Sequence, residues 1–363
     1  MNICLIGQGL TNLIFAKVLA NKNINVSLFL DSKKAQKSPS RSIAISKNNF
    51  DFINNQIKNI KKICWPIKNI KIYNESNQNE DLLNFDKFGK ELFLVVKYDK
   101  IKEFFLKKIK KNKLIKIKKI KNQQFYNSIL EKNQFDIIIN SDGNNRISKF
   151  FFNKIVRDYK STAFTTIIDH KKFNNNQAIQ IFTKFGPLAF LPISNSKTSI
   201  IFSLYKERLI KNDESIKKLI IKYNKIYRIN NFSKFEKFNL KFFSLRKYYY
   251  KNILSFGDAI HRIHPLAGQG LNMTLRDIKL LSDLIDKRIE LGLPLDSSIL
   301  KKFESKTKHL NYIFSSGINF IYDFFKFDNK FSKNYSKKMF IYLEKNKLFK
   351  KYATEFADRG IFL

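Results

Sequence analysis

The first 31 residues commit this chain to an α/β fold. Asn2 to Ile6 reads as a short apolar strand and Gly7-Gln8-Gly9-Leu10-Thr11-Asn12 as a glycine turn. Leu13 to Ala20 follows as an apolar helix, and Asn25 to Leu30 as a second strand ending on Asp31. That order is a βαβ unit. In such a unit Gly7 permits the tight turn, and Gly9 lets the backbone approach a pyrophosphate seated on the helix N-terminus. Asp31 is placed to bond a ribose hydroxyl. Asn12 stands where a third glycine is usual, so helix and strand are expected to pack slightly less closely. A turn between two ordinary elements would look similar. An acid 19 residues after Asn12 and the position of the glycines between strand and helix favour a dinucleotide site.

A second stretch, Gly257 to Asn272 (GDAIHRIHPLAGQGLN), carries the same logic. Ile253-Leu254-Ser255-Phe256 reads as a buried strand, which puts Gly257 and Asp258 at its carboxyl end, where open α/β sheets bind ligands. Asp258 can accept hydrogen bonds from sugar hydroxyls there. Leu271, Leu275, Ile278, Leu281 and Ile285 recur at helical spacing, so Gly268-Gln269-Gly270 opens a helix whose first N–H groups face negative charge. Phe135 to Asn140 is another buried strand, leading to the acid-glycine turn Ser141-Asp142-Gly143.

Elsewhere the loosely alternating residues Trp65 to Asp86 suggest a hairpin, and Tyr98 to Lys111 a helix with a lysine-covered outer face. Four strands are expected at Thr162 to Ile168, Ala178 to Phe182, Leu188 to Ile193 and Ser199 to Leu204, forming a separate antiparallel sheet. Residues 212–248 mix a basic helix with the aromatic and basic segment Phe232 to Tyr250, most simply buried rings with snorkelling lysines. After Asp277 the chain is mainly helical. The apolar face within Leu310 to Phe331 either covers the core or rests on a bilayer surface.

The 363 residues, 44% of them hydrophobic, suffice for two domains or one large interleaved one. With 69 Lys+Arg against 30 Asp+Glu, the formal net charge of +39 raises an anionic membrane or nucleic acid as a partner. Lysine far outnumbers arginine and Asn, Ile and Phe abound, which fits AT-rich coding. Part of the charge then carries no binding role, and no specific nucleic-acid partner is expected. Cys4 and Cys64 offer neither a disulfide framework nor metal spacing, so a reduced, cytoplasmic setting without a metal site is expected. The apolar start is broken at once by Gly7-Gln8-Gly9, unlike a signal peptide. No run approaches the ~20 apolar residues of a spanning helix, so membrane contact is expected to be peripheral, on the inner face.

Taken together these motifs resemble the flavin-dependent aromatic hydroxylases, the class A flavoprotein monooxygenases. They are most similar to the branch that hydroxylates the prenylated ring in ubiquinone biosynthesis. Besides Gly257 to Asn272, the resemblance rests on Arg41 to Ser46, Cys64-Trp65-Pro66-Ile67, Asn84-Phe85-Asp86, Tyr159 to Thr165 and Ile181-Phe182-Thr183. It continues through Gly186-Pro187-Leu188-Ala189-Phe190-Leu191-Pro192 and Arg276-Asp277, and so covers nearly the whole chain. It implies a Rossmann-like FAD-binding domain (residues 1–64, 97–156 and 249–290) interleaved with an antiparallel-sheet substrate domain (65–96 and 157–248). A C-terminal helical region (291–363) completes the chain.

By the same resemblance, FAD is held through Gly7, Gly9, Asn12 and Asp31 at its adenosine end and through Asp258 at the ribityl and pyrophosphate. The Pro265-closed loop with Gly268, Gln269, Gly270, Leu271 and Asn272 surrounds the isoalloxazine, and Arg41 sits near the cofactor. Asp142 and Gly143 belong to a motif associated with both FAD and the nicotinamide donor. In such enzymes NAD(P)H reduces the flavin, O₂ adds as a C4a-hydroperoxide, and its distal oxygen passes to an electron-rich phenol. The substrate implied is a polyprenylated phenol, within an assembly of biosynthetic partners. His261 and His264 are candidates for tuning the phenol's protonation, with loop-ordering hydrogen bonds as the plainer role. Three departures stand out: Asn12, Thr274 in a usual glycine position, and Arg146 where the acid-glycine motif normally has Ser, with Ser148 as a replacement. Two other readings stay open: an epoxidase, halogenase or prenyl reductase of the same fold, or a basic lipid- or RNA-binding protein with a degenerate flavin site.

Overall fold

The computed structural model describes residues 1–31, 40–75, 81–86, 89–120, 124–131, 134–206, 212–331, 343 and 346–360. The chain starts with β1 (Asn2–Ile6), α1 (Leu10–Ala20) and β2 (Asn25–Asp31), the expected βαβ unit. Next come β3 (Ser42–Ser46), α2 (Lys47–Gln56), β4 (Trp65–Ile67), β5 (Asn69–Asn74), β6 (Leu83–Asp86) and β7 (Phe93–Lys97). They lead into α3 (Tyr98–Lys110), β8 (Ile115–Ile120), α4 (Gln124–Glu131), β9 (Ile137–Asn140) and α5 (Arg146–Phe151). The long strand β10 (Lys154–His170) then starts a run of β11 (Gln177–Thr183), β12 (Gly186–Pro192) and β13 (Lys197–Tyr205). After α6 (Asp213–Tyr223) lie β14 (Ile229–Phe232), β15 (Glu236–Leu245), β16 (Tyr249–Tyr250), β17 (Ile253–Ser255) and β18 (His261–Arg262). The helices α7 (Gln269–Glu290), α8 (Ser297–Phe331) and α9 (Lys347–Arg359) follow.

The first sheet runs β16-β17-β9-β1-β2-β8. All its neighbours are parallel except the β16–β17 pair. From β1 the chain goes first to β2 on one side and later to β9 on the other, so the order reverses at β1. Open sheets leave a crevice at such a switch point, outside the carboxyl ends of the strands. The strands are apolar on both faces, as a sheet covered by helices must be: Ile3 to Ile6 and Ile137 to Ile139 are all buried, under α1, α3 and α7.

The second sheet runs β18-β15-β10-β13-β12-β11-β5-β6, with β14 added alongside β10. It is antiparallel apart from the β11–β5 pair. Alternation along β10 explains why it needs cover on both sides. Phe164 and Ile168 pack with Ile216 and Ile220 of α6, whereas Tyr159 and Ala163 pack with Phe314, Ile318, Tyr322 and Phe325 of α8. The Phe182 and Phe325 rings stack at 3.5 Å, tying α8 to β11. Burying each such side chain contributes about 1.5–3 kcal/mol. A third, small sheet, β3-β7-β4, bridges the two halves.

Two expectations need correction. The second sheet is larger than the four strands expected, because β10 begins eight residues before Thr162, crossing a bulge between Asp158 and Ser161. The segment read only as aromatic and basic contains β15, paired with β10 along nearly its whole length. The face of α8 is divided: Phe314, Ile318, Tyr322 and Phe325 cover the core, while Tyr312, Ile313, Phe320, Ile321 and Phe327 are exposed. No helix of the described residues is long and apolar enough to cross a membrane.

Candidate active site

Three turns converge because the strand pairing continues to the strand ends. The Gly7 N–H donates to Phe29 O (3.0 Å), the Ser141 N–H to Ile6 O (2.9 Å) and the Phe256 N–H to Asn140 O (2.9 Å). Gly7–Gly9, Ser141–Gly143 and Gly257–Asp258 therefore lie side by side at the carboxyl ends of β1, β9 and β17. A cleft of about 270 Å³ opens there, lined by Gly7, Gln8, Gly9, Ser141, Asp142, Gly143, Asn144, Asp258 and Arg262. Stretches about 250 residues apart in sequence thus share one cavity.

The turn at Gly7 requires glycine. Its φ is +120°, and a Cβ there would stand 2.6 Å from the Ser141 hydroxyl. Asn12, fully buried, replaces the missing third glycine by donating its amide to Gly7 O at 3.0 Å, so it pins the turn instead of loosening it. Gly257 is gripped from two sides: with φ +59°, its Cβ would lie 2.9 Å from Thr11 of α1 and 3.2 Å from Thr274 of α7. The two helix starts therefore meet at one strand end. Thr274 serves this packing and donates to Gly270 O at 3.3 Å.

In the second acid-glycine turn, the Asn144 N–H donates to Asp142 Oδ1 (2.9 Å) and the Ser148 hydroxyl to Asp142 O (2.7 Å). Ser148 in turn accepts from Asn140 Nδ2 at 2.8 Å. Ser148, two residues after Arg146, thus ties the turn to the end of β9. Asp31 ends β2 as expected, but its side chain lies outside the described residues. Arg41 is exposed and sits 4.6 Å over the Tyr98 ring. Tyr98 went unnoticed in the sequence. Burial raises its hydroxyl above the ordinary tyrosine value, with Arg41 opposing the effect and Asp258 adding to it. No motif announces it, since it is merely the first residue of α3.

Within Gly257 to Asn272, Pro265 precedes a 3-10 turn, Leu266–Gly268, and Gly268, with φ +62°, caps α7. Leu271 turns toward the core. The Asn272 side chain is spent inside the protein: it accepts from Ser46 N–H (2.9 Å) and Asn49 Nδ2 (3.1 Å), and donates to Ala44 O (3.0 Å) and Gly268 O (3.1 Å). It positions the loop against β3, and only its backbone side is left toward the helix end.

His261 and His264 are both buried. Desolvation depresses the His261 imidazole to about 4, with Arg276 adding to the effect and Asp258 opposing it, and depresses His264 to about 3. Both are neutral at neutral pH. The His264 ring lies 4.4 Å from the Tyr322 ring and 5.1 Å from that of Tyr159, whose hydroxyl accepts the His264 N–H at 3.0 Å. No ring nitrogen of either histidine is hydrogen-bonded among the described residues, so the two imidazoles do not order the loop through bonds of their own.

A family model described as squalene epoxidase matches residues 165–354, just over half of the chain. The chain belongs to the squalene epoxidase family. This squalene epoxidase family member is also similar to the mitochondrial ubiquinone biosynthesis monooxygenase of Dictyostelium discoideum, 26% identical over 183 residues, covering 40% of this chain and 37% of the relative. It is 30% identical over 150 residues to the 3-demethoxyubiquinol 3-hydroxylase of Escherichia coli, covering 39% of this chain and 38% of that one. The matched stretches thus span less than two fifths of those relatives' length. Among solved structures, p-nitrophenol 4-monooxygenase of Pseudomonas putida superposes with a TM-score of 0.78 at 12% identity, covering 98% of both chains, which shows a shared fold. A probable FAD-dependent monooxygenase of Pseudomonas aeruginosa gives 0.72 at 13% identity, covering 94% of this chain and 99% of that one.

The expected resemblance to flavin-dependent monooxygenases therefore holds, and FAD is the cofactor that it implies. The residues of this family member fit that group. A Cβ on Gly9 or Gly270 would meet nothing within 4 Å, so both helix starts are open to a ligand. Gln269 is 1% exposed, yet both amide atoms lack a partner among the described residues, as does Asn12 Oδ1. Buried polar atoms left so are costly, and the polar edges of a dinucleotide would satisfy them. No group of three His, Cys, Asp or Glu suited to a metal occurs among the described residues.

Proposed function

We propose that the chain is an FAD- and NAD(P)H-dependent monooxygenase that hydroxylates the aromatic ring of a polyprenylated phenol in ubiquinone biosynthesis. The observation that carries this reading is the convergence of Gly7–Gly9, Asp142–Gly143 and Gly257–Asp258 around one cleft. The ubiquinone-related names of the relatives support the choice of substrate. When bound, FAD supplies hydride acceptance from NAD(P)H and the activation of O₂. The protein's part is placement and electrostatics. Gly7, Gly9 and Asp31 hold the adenosine end, and Arg41 sits near the cofactor. Asp258 accepts from sugar hydroxyls, and Asp142 and Gly143 shape the side where the donor arrives. The amides that open α7 favour negative charge at the pyrimidine edge of the ring, on the order of 1 kcal/mol or more in a dry site. The apolar layer of Phe182, Phe314, Tyr322 and Phe325 keeps water from the reacting ring.

His261 and His264 act in this reading as neutral hydrogen-bond partners near the substrate phenol. Since both titrate far below neutrality, His261→Gln and His264→Gln are expected to change the rate of hydroxylation but not its pH profile between about pH 6 and 9. A profile that loses a limb in either variant would restore the general-base role.

The outward aromatics of α8 and the net charge of +39 support peripheral contact with an anionic membrane, where a prenylated phenol resides. There the enzyme would join the other biosynthetic proteins. The deciding experiment gives the purified yellow protein NAD(P)H, O₂ and a prenylphenol in anionic vesicles, and identifies the product by mass. One added oxygen on the ring is expected, with turnover that falls when the vesicles are omitted. A colourless protein, or NAD(P)H oxidation indifferent to the phenol, rejects the reading. A second reading, epoxidation of an isoprenoid double bond, is favoured by the description of the matching family model. It would add the oxygen to the tail.

A further inference from the structure

Three strands of the second sheet reach the rim of the cleft and set two cations there. Phe243 of β15 is in register with Arg262 of β18 on one side and with Val156 of β10 on the other. The Arg262 guanidinium lies 5.2 Å, and the Lys154 ammonium 5.1 Å, from the centre of the Phe243 ring. One buried aromatic side chain therefore carries both charges. Lys154 also donates to Gly143 O, and Arg262 lines the cleft together with Gly9, Asp142 and Asp258.

Holding two cations together is unfavourable unless something negative faces them. Desolvation, then repulsion from Arg262, pushes the Lys154 ammonium below its ordinary value; Lys149 adds to this and Asp142 opposes it. The ion pairs among the described residues include neither Lys154 nor Arg262. The same cleft is lined by the Gly7–Gly9 backbone at the start of α1, itself partially positive, and by Asp142 and Asp258, neither of which is ion-paired with Lys154 or Arg262. A group with several anionic oxygens satisfies the two cations and the turn at once.

We propose that Lys154 and Arg262, held on Phe243, form a clamp that binds a dinucleotide diphosphate together with the Gly7–Gly9 turn. This rests on the reading that the cleft takes a dinucleotide. FAD and NAD(P)H share the diphosphate chemistry, and two measurements on the full chain separate them. Lys154→Met, Arg262→Met and the double variant keep an apolar stem on Phe243 and remove the charge, whereas Lys154→Arg keeps it. FAD affinity is read from the free-flavin fluorescence released when the holoprotein is diluted, at low and high salt. Donor affinity is read from the NADH and NADPH dependence of anaerobic flavin bleaching with FAD held saturating.

Each Met substitution is expected to loosen one of the two ligands roughly ten-fold and flatten its salt dependence, while Lys154→Arg stays near the parent. The ligand that loosens is the one clamped. Should the Met variants fold poorly, Phe243→Leu, which keeps both charges but removes their platform, is expected to loosen the same ligand by roughly three-fold. A double variant that binds FAD and both donors as the parent does overturns the clamp and leaves the monooxygenase reading standing. A parent protein that takes up no FAD overturns both.

Discussion

Asn272→Ala is expected to lower the unfolding free energy by about 3 kcal/mol and to release FAD with it. Asn272 makes four side-chain hydrogen bonds in a site with no access to water. Truncation leaves the Ser46 N–H and the Ala44 carbonyl buried without these partners. Each such loss costs about 1–3 kcal/mol, more than the bond itself contributes when formed. The Gly268 turn would also lose its anchor on β3, so α7 would no longer present its first amides at a fixed place. Urea unfolding measures the first effect and flavin retention on gel filtration the second. Asn272→Asp should fail almost as badly, because it keeps the acceptor but loses the donor to Ala44 and Gly268 and buries a charge. A loss below about 1 kcal/mol for Asn272→Ala would mean that the loop is held elsewhere.

Asp277, on the third turn of α7, should make the protein less stable as pH rises. Burial raises its carboxyl to about 7, against smaller opposing effects from its hydrogen bond with Asn311 of α8 and from Arg276. In the unfolded chain the same group ionises near pH 4. Between these values the folded chain holds a proton that the unfolded chain has released, so stability falls from about pH 4 to about pH 7 and levels off above. The full span corresponds to roughly 4 kcal/mol. Asp277→Asn keeps the contact with Asn311 and has nothing to ionise. It should therefore raise the melting temperature at neutral pH and leave it nearly unchanged near pH 4. Equal shifts at both pH values would show that Asp277 is ionised throughout and held by Arg276.

The parts of the site that were legible in the sequence are those where backbone conformation demands a residue type. Gly7, Gly257 and Gly268 all have positive φ, and each sits in a turn that its flanking strand or helix marks. Periodicity also located α3 and α7, and the strand–turn–helix order located α1. What sequence spacing could not reveal was which strands lie side by side. Nothing in Phe135 to Asn140 says that it pairs with β1, yet that pairing brings Asp142 to Gly9. The strand β15 escaped because its outer positions, Lys237, Asn239 and Lys241, and inner Phe242 and Phe243 mix with a neighbouring aromatic run, and the two faces do not alternate cleanly. Tyr98, Lys154 and Arg262 went unseen for a related reason. They act through tertiary neighbours, Arg41 and Phe243, that lie from 19 to 89 residues away in sequence. Asn12 shows the converse: an apparent defect in a glycine pattern turned out to be a fastening, visible only once its amide was seen on Gly7 O.

Thr11 and Thr274 press on the same hydrogen-only position, so Gly257 acts as a gauge between the two helix starts. Neither α1 nor α7 can slide without the other, and the gap they leave is a fixed length. Any ligand that touches both helix starts therefore meets them at one set spacing.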